Sequence, residues 1–340
     1  MRKLATIRKI DEVRAIPDAD KIVAYRVGGW WVVDAVGKYT AGDLVVYVEP
    51  DAWIPHALAP FLSKGQEPRT YEGVKGERLR TVKLRGQLSQ GLLLPLNTVY
   101  ELPPTTSVDI AGTDVSEPLG IIKYEPPVPA QLAGQVRGIF PTAIPKTDQE
   151  RVQNLVAEIA EYADRGLTFE VTEKLEGSSC TMYLDREDSF HVCSRNFDLQ
   201  EDGNVSFWKV AAQYDVAAKM RARGLQGYAL QGELVGEGVQ GNVYKIKAQD
   251  FFVYDVYNEI EGRYLNALER VALCEDLQLS HVPPLDTAYV LSGNVDDLLK
   301  YAEGRSVLHD TEREGVVFKC NEDPSISFKA ISNRYLLRQG

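Results

Sequence analysis

Along the first 120 residues the apolar positions come in short runs cut by glycine and proline, at 22–27 (IVAYRV), 30–36 (WWVVDAV), 44–48 (LVVYV), 79–84 and 91–94. Runs of this length, rich in β-branched and aromatic residues and bounded by turn formers, read as strands. No long helical period interrupts them. Five short strands in such a length suit a small closed β-barrel. The pattern changes at residue 123. Pro126, Pro127, Pro129, Pro141 and Pro145 mark 123–146 as a Pro-rich linker that ends a compact unit. Thr147-Asp148-Gln149-Glu150 then has capping-box spacing. Val152, Leu155, Val156, Ile159, Ala160 and Ala163 fall on one helical face behind it, predicting a helix that opens a second domain. Strand-like runs follow at 167–172, 179–184, 191–194, 228–235 and 251–257, with helices expected near 208–223, 265–277 and 295–303. Without regular βαβ alternation this second domain, 147–340, reads as α+β.

Composition refines the picture in two places. The 340 residues are 44% hydrophobic, ordinary for a globular protein of two domains, and the net charge of −11 argues at first sight against a polyanionic partner. The charge is unevenly spread: residues 1–126 hold 16 basic and 16 acidic side chains, so all the excess acid lies in the second part. Between 64 and 85 seven basic residues face three acidic ones, which makes Arg78, Arg80, Lys83 and Arg85 candidate nucleic-acid contacts. The words IPDADKIVAYRVGG, GDLVVYVEPD and LRGQLSQGLLLP also resemble the OB modules of tRNA-binding domains, so 1–122 is expected to be an OB-like nucleic-acid-binding domain. The cysteines, Cys180, Cys193, Cys274 and Cys320, form no C-x-x-C pair, which points to neither a zinc cage nor a disulfide framework and fits a reducing cytoplasm. No stretch of about 18 apolar residues suggests a membrane span, and no obligate protein partner is evident.

The chemistry gathers around Glu173-Lys174-Leu175-Glu176-Gly177-Ser178-Ser179, where a lysine ends one strand and a Gly-Ser turn leads into the next. A lysine at a cleft mouth is a reasonable nucleophile once its free pKa of roughly 10.4 is lowered by burial or neighbouring cations, metal included. Taken alone, such a lysine is ordinary surface. Partners stand downstream at Ser194-Arg195-Asn196, Gln231-Gly232-Glu233-Leu234, Phe252-Val253-Tyr254-Asp255, Glu314 to Lys319 (EGVVFK) and Ser327-Phe328-Lys329. In this order the six segments resemble motifs I, Ia, III, IIIa, IV and V of the covalent nucleotidyltransferases, the superfamily of DNA ligases, RNA ligases and mRNA-capping guanylyltransferases.

The resemblance implies roles. Lys174 would be the nucleophile that carries AMP from ATP. Glu173, Glu176, Gly177, Arg195, Glu233, Tyr254, Lys319 and Lys329 would bind the nucleotide, with Tyr254 as the adenine platform and Arg195, Lys319 and Lys329 neutralising phosphate. Glu314 would hold Mg²⁺ or Mn²⁺, directly or through water. Glu176 replaces the Asp usual in DNA ligases, and Ser179 stands where those enzymes have Arg. Ser327 replaces the first of the two motif V lysines. An OB-like module placed first, with only 11 residues after Lys329, resembles the bacterial nick-sealing group counted as the fifth RNA ligase family. Such an enzyme is expected to join an RNA 3′-OH to a 5′-phosphate across a nicked duplex, as in RNA repair. Two other functions fit parts of the pattern: a GTP-using capping guanylyltransferase, and a non-catalytic RNA- or tRNA-binding OB protein. The G-x-G-x-x-G at 236–241 precedes Asn242-Val243-Tyr244-Lys245-Ile246, a β-like run and not the helix a dinucleotide site requires, so it is no Rossmann turn. His56, His191, His281 and His309 show no metal-ligand spacing.

Overall fold

The computed structural model describes residues 3–100, 110–125 and 134–339. The chain divides into two units, Met1–Pro127 with Leu336–Gly340, and Val128–Tyr335.

In the first unit the strands are short because turns recur every few residues; the central Leu44–Val48 is buried on both faces, while Glu12–Ala15 and Val82–Leu84 are largely exposed. Ala5–Lys9, Leu44–Val48 and Leu92–Pro95 form one antiparallel sheet with Leu44–Val48 in the centre. Glu12–Ala15, Ile22–Val27 and Trp30–Ala35 form a second. Ala52–Pro55 pairs with Val74–Arg78 and with Ile122–Lys123 in a third. Tyr25, Val27, Trp30 and Val32 point into the core, while their strand neighbours Arg26 and Trp31 point out. Of the expected strand at 79–84 only Val82–Leu84 forms, after a separate strand Val74–Arg78. Val82–Leu84 makes a hairpin with Gln87–Ser89 through Arg85 and Gly86, both at positive φ, the conformation a two-residue hairpin turn demands.

The second unit contains two sheets, each backed by its own helices. Thr168–Lys174, Gly315–Cys320 and Ser327–Ile331 form the middle of a five-stranded sheet, packed on the helices Val156–Asp164 and Val295–Ala302 around Phe169, Val171, Phe318 and Phe328. Ser178–Leu184, Phe190–Cys193, Tyr228–Val235 and Asp250–Asn258 belong to a larger sheet, backed by Ser206–Gln213, Val216–Ala222 and Ala267–Leu277. The expected 208–223 helix is broken at Asp215, whose φ is +51. Residues 236–249 form a loop between two strands, without the helix of a dinucleotide fold and without the β-like run expected at 242–246.

The region between the units departs most from the sequence reading. Ile122–Lys123 is a strand of the first unit, and Val136–Ile139 pairs with Phe197–Leu199 in the second, so both ends of the expected linker contribute to sheets; Pro126, Pro127 and Pro129 lie outside the described residues. The capping box does not form either. The helix starts at Val156 with no side-chain cap, and Glu150–Arg151 pairs with Phe328 and Lys329 as a short parallel strand. Spacing alone cannot distinguish a cap from a segment whose polar side chains have partners elsewhere, and here they do. No helix among the described residues is long and apolar enough to cross a membrane.

Candidate functional site

Lys174 is the last residue of its strand, and Leu175-Glu176-Gly177 carries the chain from the five-stranded sheet into the strand Ser178–Leu184 of the larger one. That crossing is tight. A Cβ on Gly177 would lie 2.3 Å from the Leu234 carbonyl oxygen, so only glycine fits. The antiparallel register sets Lys174 opposite Gly315, which places Glu314 beside the amine: Lys174 Nζ lies 2.7 Å from Glu314 Oε1. A side chain at 315 would meet the Ala330 carbonyl at 2.2 Å, so the glycine of this motif also answers to close backbone approach. On the larger sheet Ser179 pairs with Glu233, and Glu233 accepts the Gly177 N–H. Glu233 and Arg195 are both close enough to Lys174 to act on its charge.

The electrostatics run against the simplest expectation for a nucleophile. Burial lowers the Lys174 pKa, but the Glu314 and Glu233 carboxylates outweigh it and the net displacement is upward. Unliganded, the site stores the amine as ammonium. Burial is also the main cause that lifts Glu233 to about 8, with Glu314 adding to it and Lys174 opposing it. Glu176 is raised, first by burial. Its backbone N–H donates to the Tyr244 hydroxyl at 2.7 Å, and its side chain accepts from Tyr335. Its Oε2 is buried with no hydrogen-bond partner.

Tyr254 lies where the strand Asp250–Asn258 shifts register against Tyr228–Val235, so it is the extra residue of a bulge, a device that re-aims side chains. Its hydroxyl meets Thr147 Oγ1 at 3.0 Å and Ser179 Oγ at 3.3 Å. Its backbone carbonyl accepts from Lys319 Nζ. Lys319 is the main surprise among the expected phosphate contacts. It is 7% exposed and lies 2.5 Å from Asp255, so its charge is spent inside the protein, and burial is the leading cause that lowers its pKa. Depth explains it: Lys319 pairs with Glu170, four residues along the strand from Lys174 on the same face, between the sheets beside the buried Arg270–Glu170 pair, where an unpaired ammonium would be costly. Glu173 lies apart from the cluster for a different reason, the parity of its strand. Adjacent strand residues face opposite sides, and its side chain, 1% exposed, turns away from the Lys174 cluster to accept from the Val307 N–H at 2.8 Å. Burial raises its pKa.

Arg195 and Lys329 converge on one residue that the sequence reading gave to a helix cap. Asp148 Oδ2 lies 3.1 Å from Arg195, and Oδ1 lies 3.6 Å from Lys329. Asp148, Thr147, Asp255, Tyr244 and Tyr335 were all missed as site residues. Only Asp255, inside a motif, carried a local signal.

In the first unit Arg78 is held by Asp51, with Nη2 to Oδ1 at 2.5 Å, and its guanidinium lies 4.8 Å from the Tyr124 ring centre. Of the basic strip it is therefore a structural member. Lys75 pairs with Glu67 at 2.7 Å. Arg80, Lys83 and Arg85 are exposed, the last two on the hairpin beside Val82 and Leu84, which are 44% and 41% exposed.

A β-rich first unit followed by two helix-backed sheets, with a lysine at their crossing and carboxylates and cations around it, defines a covalent nucleotidyltransferase. Comparisons narrow this. A family model described as RNA ligase matches residues 167–331, and one described as an OB-fold domain matches 4–96. Among solved structures the chain is similar to a point mutant of Naegleria gruberi RNA ligase without ligand, at 43% identity and TM-score 0.90, covering 98% of this chain and 97% of that one. It is equally similar to another mutant of that ligase with ATP and Mn, at 43% identity and TM-score 0.90, with 98% of each chain covered. The same ligase with PPi gives 43% identity and TM-score 0.89, over 99% and 98% of the two chains. Comparison with curated proteins finds no match. The chain belongs to the RNA ligase family, and it is an RNA ligase enzyme with an N-terminal OB-fold domain.

Proposed function

We propose that the protein seals 3′-OH/5′-phosphate nicks in RNA-containing duplexes with ATP, through a Lys174–AMP intermediate. The observation that carries this reading is the Lys174 amine 2.7 Å from Glu314 at the crossing of two sheets, with Glu233 and Arg195 acting on it from the other sheet. The neutral amine attacks the α-phosphorus of ATP, the bond to the β-phosphate oxygen breaks, and pyrophosphate leaves. The nick's 5′-phosphate oxygen then takes AMP from the lysine, and the amine regains its free form. Last, the 3′-OH attacks the adenylylated 5′-phosphorus, loses its proton and expels AMP.

Arg195 and Lys329 are the cations placed to compensate phosphate charge, and Tyr254 is the aromatic wall for the base. The hard carboxylate of Glu314, with the unpartnered Oε2 of Glu176 close enough to influence it, suits Mg²⁺ or Mn²⁺. No group of three or more ligating side chains converges among the described residues, so water and phosphate oxygens would complete the shell. A divalent cation bound there would counter the carboxylates' hold on the Lys174 proton and stabilise charge on the phosphate. The related ligase with ATP and Mn and the one with PPi support the choice of substrate and leaving group.

The test is a nicked duplex whose 3′-OH strand is RNA and whose 5′-phosphate is labelled. ATP-dependent joining, with an adenylylated 5′ end accumulating when the 3′-OH is replaced by 3′-H, is the expected result. Joining without ATP, or none on any RNA nick, would overturn the proposal.

A further inference from the structure

Residues 145–151 are a strap laid across the mouth of the site, crossing from one sheet to the other. The Pro145 carbonyl accepts from Gln231 Nε2 at 2.9 Å, Lys146 Nζ donates to Asn196 Oδ1 at 2.9 Å, and Thr147 meets the Tyr254 hydroxyl at 3.0 Å, all on the larger sheet. Glu150 and Arg151 then pair with Phe328 and Lys329 on the five-stranded sheet. Under the strap lies a small pocket, open to solvent and lined by Thr147, Asp148, Ser179, Arg195 and Gln231 among others. The Gln231 side chain is 1% exposed and its Oε1 has no hydrogen-bond partner. Between the two anchorages, Asp148 puts one carboxylate oxygen toward Arg195 and the other toward Lys329.

We propose that Asp148 is a built-in phosphate surrogate: its carboxylate occupies Arg195 and Lys329 before nucleotide arrives, and an ATP phosphate displaces it. The inference rests on the reading that these two cations serve phosphate. A carboxylate is the side chain closest to phosphate in its demands, since both are anions that accept charge-assisted hydrogen bonds from Arg and Lys. Asp148 bridges cations from two different sheets, so it also keeps them converged while the site is empty. A phosphate brings more charge and more acceptor oxygens than a single carboxylate, and so can take both cations at once. The displaced carboxylate, left near an anion of like sign, has reason to move away and to take the strap with it. Asp148 is 39% exposed, so the competition is one of part-exposed ion pairs and its scale is modest. Deleting the negative charge removes a competitor and should tighten nucleotide binding, whereas a residue that merely shaped the site would weaken binding when altered.

The experiment measures ATP binding by calorimetry with Mn²⁺ in a Lys174→Ala background, which cannot consume the nucleotide, with and without Asp148→Asn. Thermal melting confirms that each variant is folded, and Asp148→Ala serves as a second neutralising variant. The expected result is ATP binding about two- to fivefold tighter in both, the size of part-exposed ion pairs. Inorganic pyrophosphate should tighten in the same direction, and the gain should shrink with salt. Asp148→Glu should return affinity toward the starting value. Unchanged or weaker ATP binding in both neutral variants would overturn the proposal, and weakening confined to Mn²⁺-containing buffer would make Asp148 a metal ligand instead. If the parent protein forms no adduct with ATP, the reading of the site fails first, and this inference with it.

Discussion

The hairpin at 82–89 and the crossing at 174–177 both carry basic residues, but they treat charge in opposite ways. On the hairpin Lys83 and Arg85 stand in solvent beside exposed Val82 and Leu84. At the crossing four cations are held by carboxylates: Lys174 has Glu314, Lys319 has Asp255, and Arg195 and Lys329 share Asp148. An exposed cation contributes long-range attraction that salt screens. A cation held in a fixed geometry gives little attraction until a ligand replaces its partner, but it is already aimed when the ligand comes. We therefore propose that the hairpin serves capture of a polyanion of any sequence, and the crossing chemistry on one phosphate.

Breaking the crossing should cost most. Glu314→Ala is expected to slow single-turnover sealing of a pre-adenylylated nick by roughly 10² to 10³, the loss typical of one electrostatic element. Lys174→Ala, whose amine is consumed only in loading AMP, should retain sealing of that same nick. Equal sealing by Glu314→Ala and the parent would show that this carboxylate has been given the wrong role.

Removing the charge of the hairpin and of Arg80 just before it should cost less and in a different step. Arg80→Ala, Lys83→Ala and Arg85→Ala combined are expected to weaken nick binding about tenfold at low salt, with the deficit narrowing as salt rises. Adduct formation with ATP should not change. Arg78→Ala makes the sharper contrast: its loss should lower thermal stability through the Asp51 and Tyr124 contacts, with a smaller effect on salt dependence than the combined variant. If Arg78→Ala instead matches the combined variant in salt dependence and melts normally, the division of the strip is wrong.

The smallest effect expected is on stability against pH. Glu233 has a folded pKa near 8, above the usual carboxylate range, so between about pH 4.5 and 8 the folded protein keeps a proton that the unfolded chain releases. Stability from this group is therefore present at low pH and lost as pH rises toward 8. Glu233→Gln should flatten the fall in melting temperature across that interval by about 2–4 °C. An unchanged slope would mean that Glu233 is ionised in the fold.

The strands around the site were legible because each pairs a period-2 pattern with turn formers. The 228–235 strand and the 22–27 strand coincide with their apolar runs, and the order of short motifs pointed to the covalent nucleotidyltransferases. What was illegible depended on contacts distant in sequence. Asp148 has Arg195 and Lys329 as partners, Thr147 has Tyr254, and neither pairing leaves a mark within a few residues, so a local rule assigned both to a helix cap. Lys319 and Glu173 were placed by motif in the nucleotide site; only depth between the sheets shows that Lys319 is spent on Asp255, and only strand parity that Glu173 is turned to the Val307 N–H. Arg78 could not be separated from Lys83 by composition, since its partner Asp51 lies on the far side of a strand pairing.

The central claim is that Lys174 accepts AMP from ATP, and mass spectrometry of protein incubated with ATP and Mn²⁺ or Mg²⁺ tests it most directly. The expected result is one AMP per chain on the peptide containing Lys174, none in Lys174→Ala, and none of GMP when GTP replaces ATP. An adduct of equal yield in Lys174→Ala, or labelling by GTP in place of ATP, would contradict it.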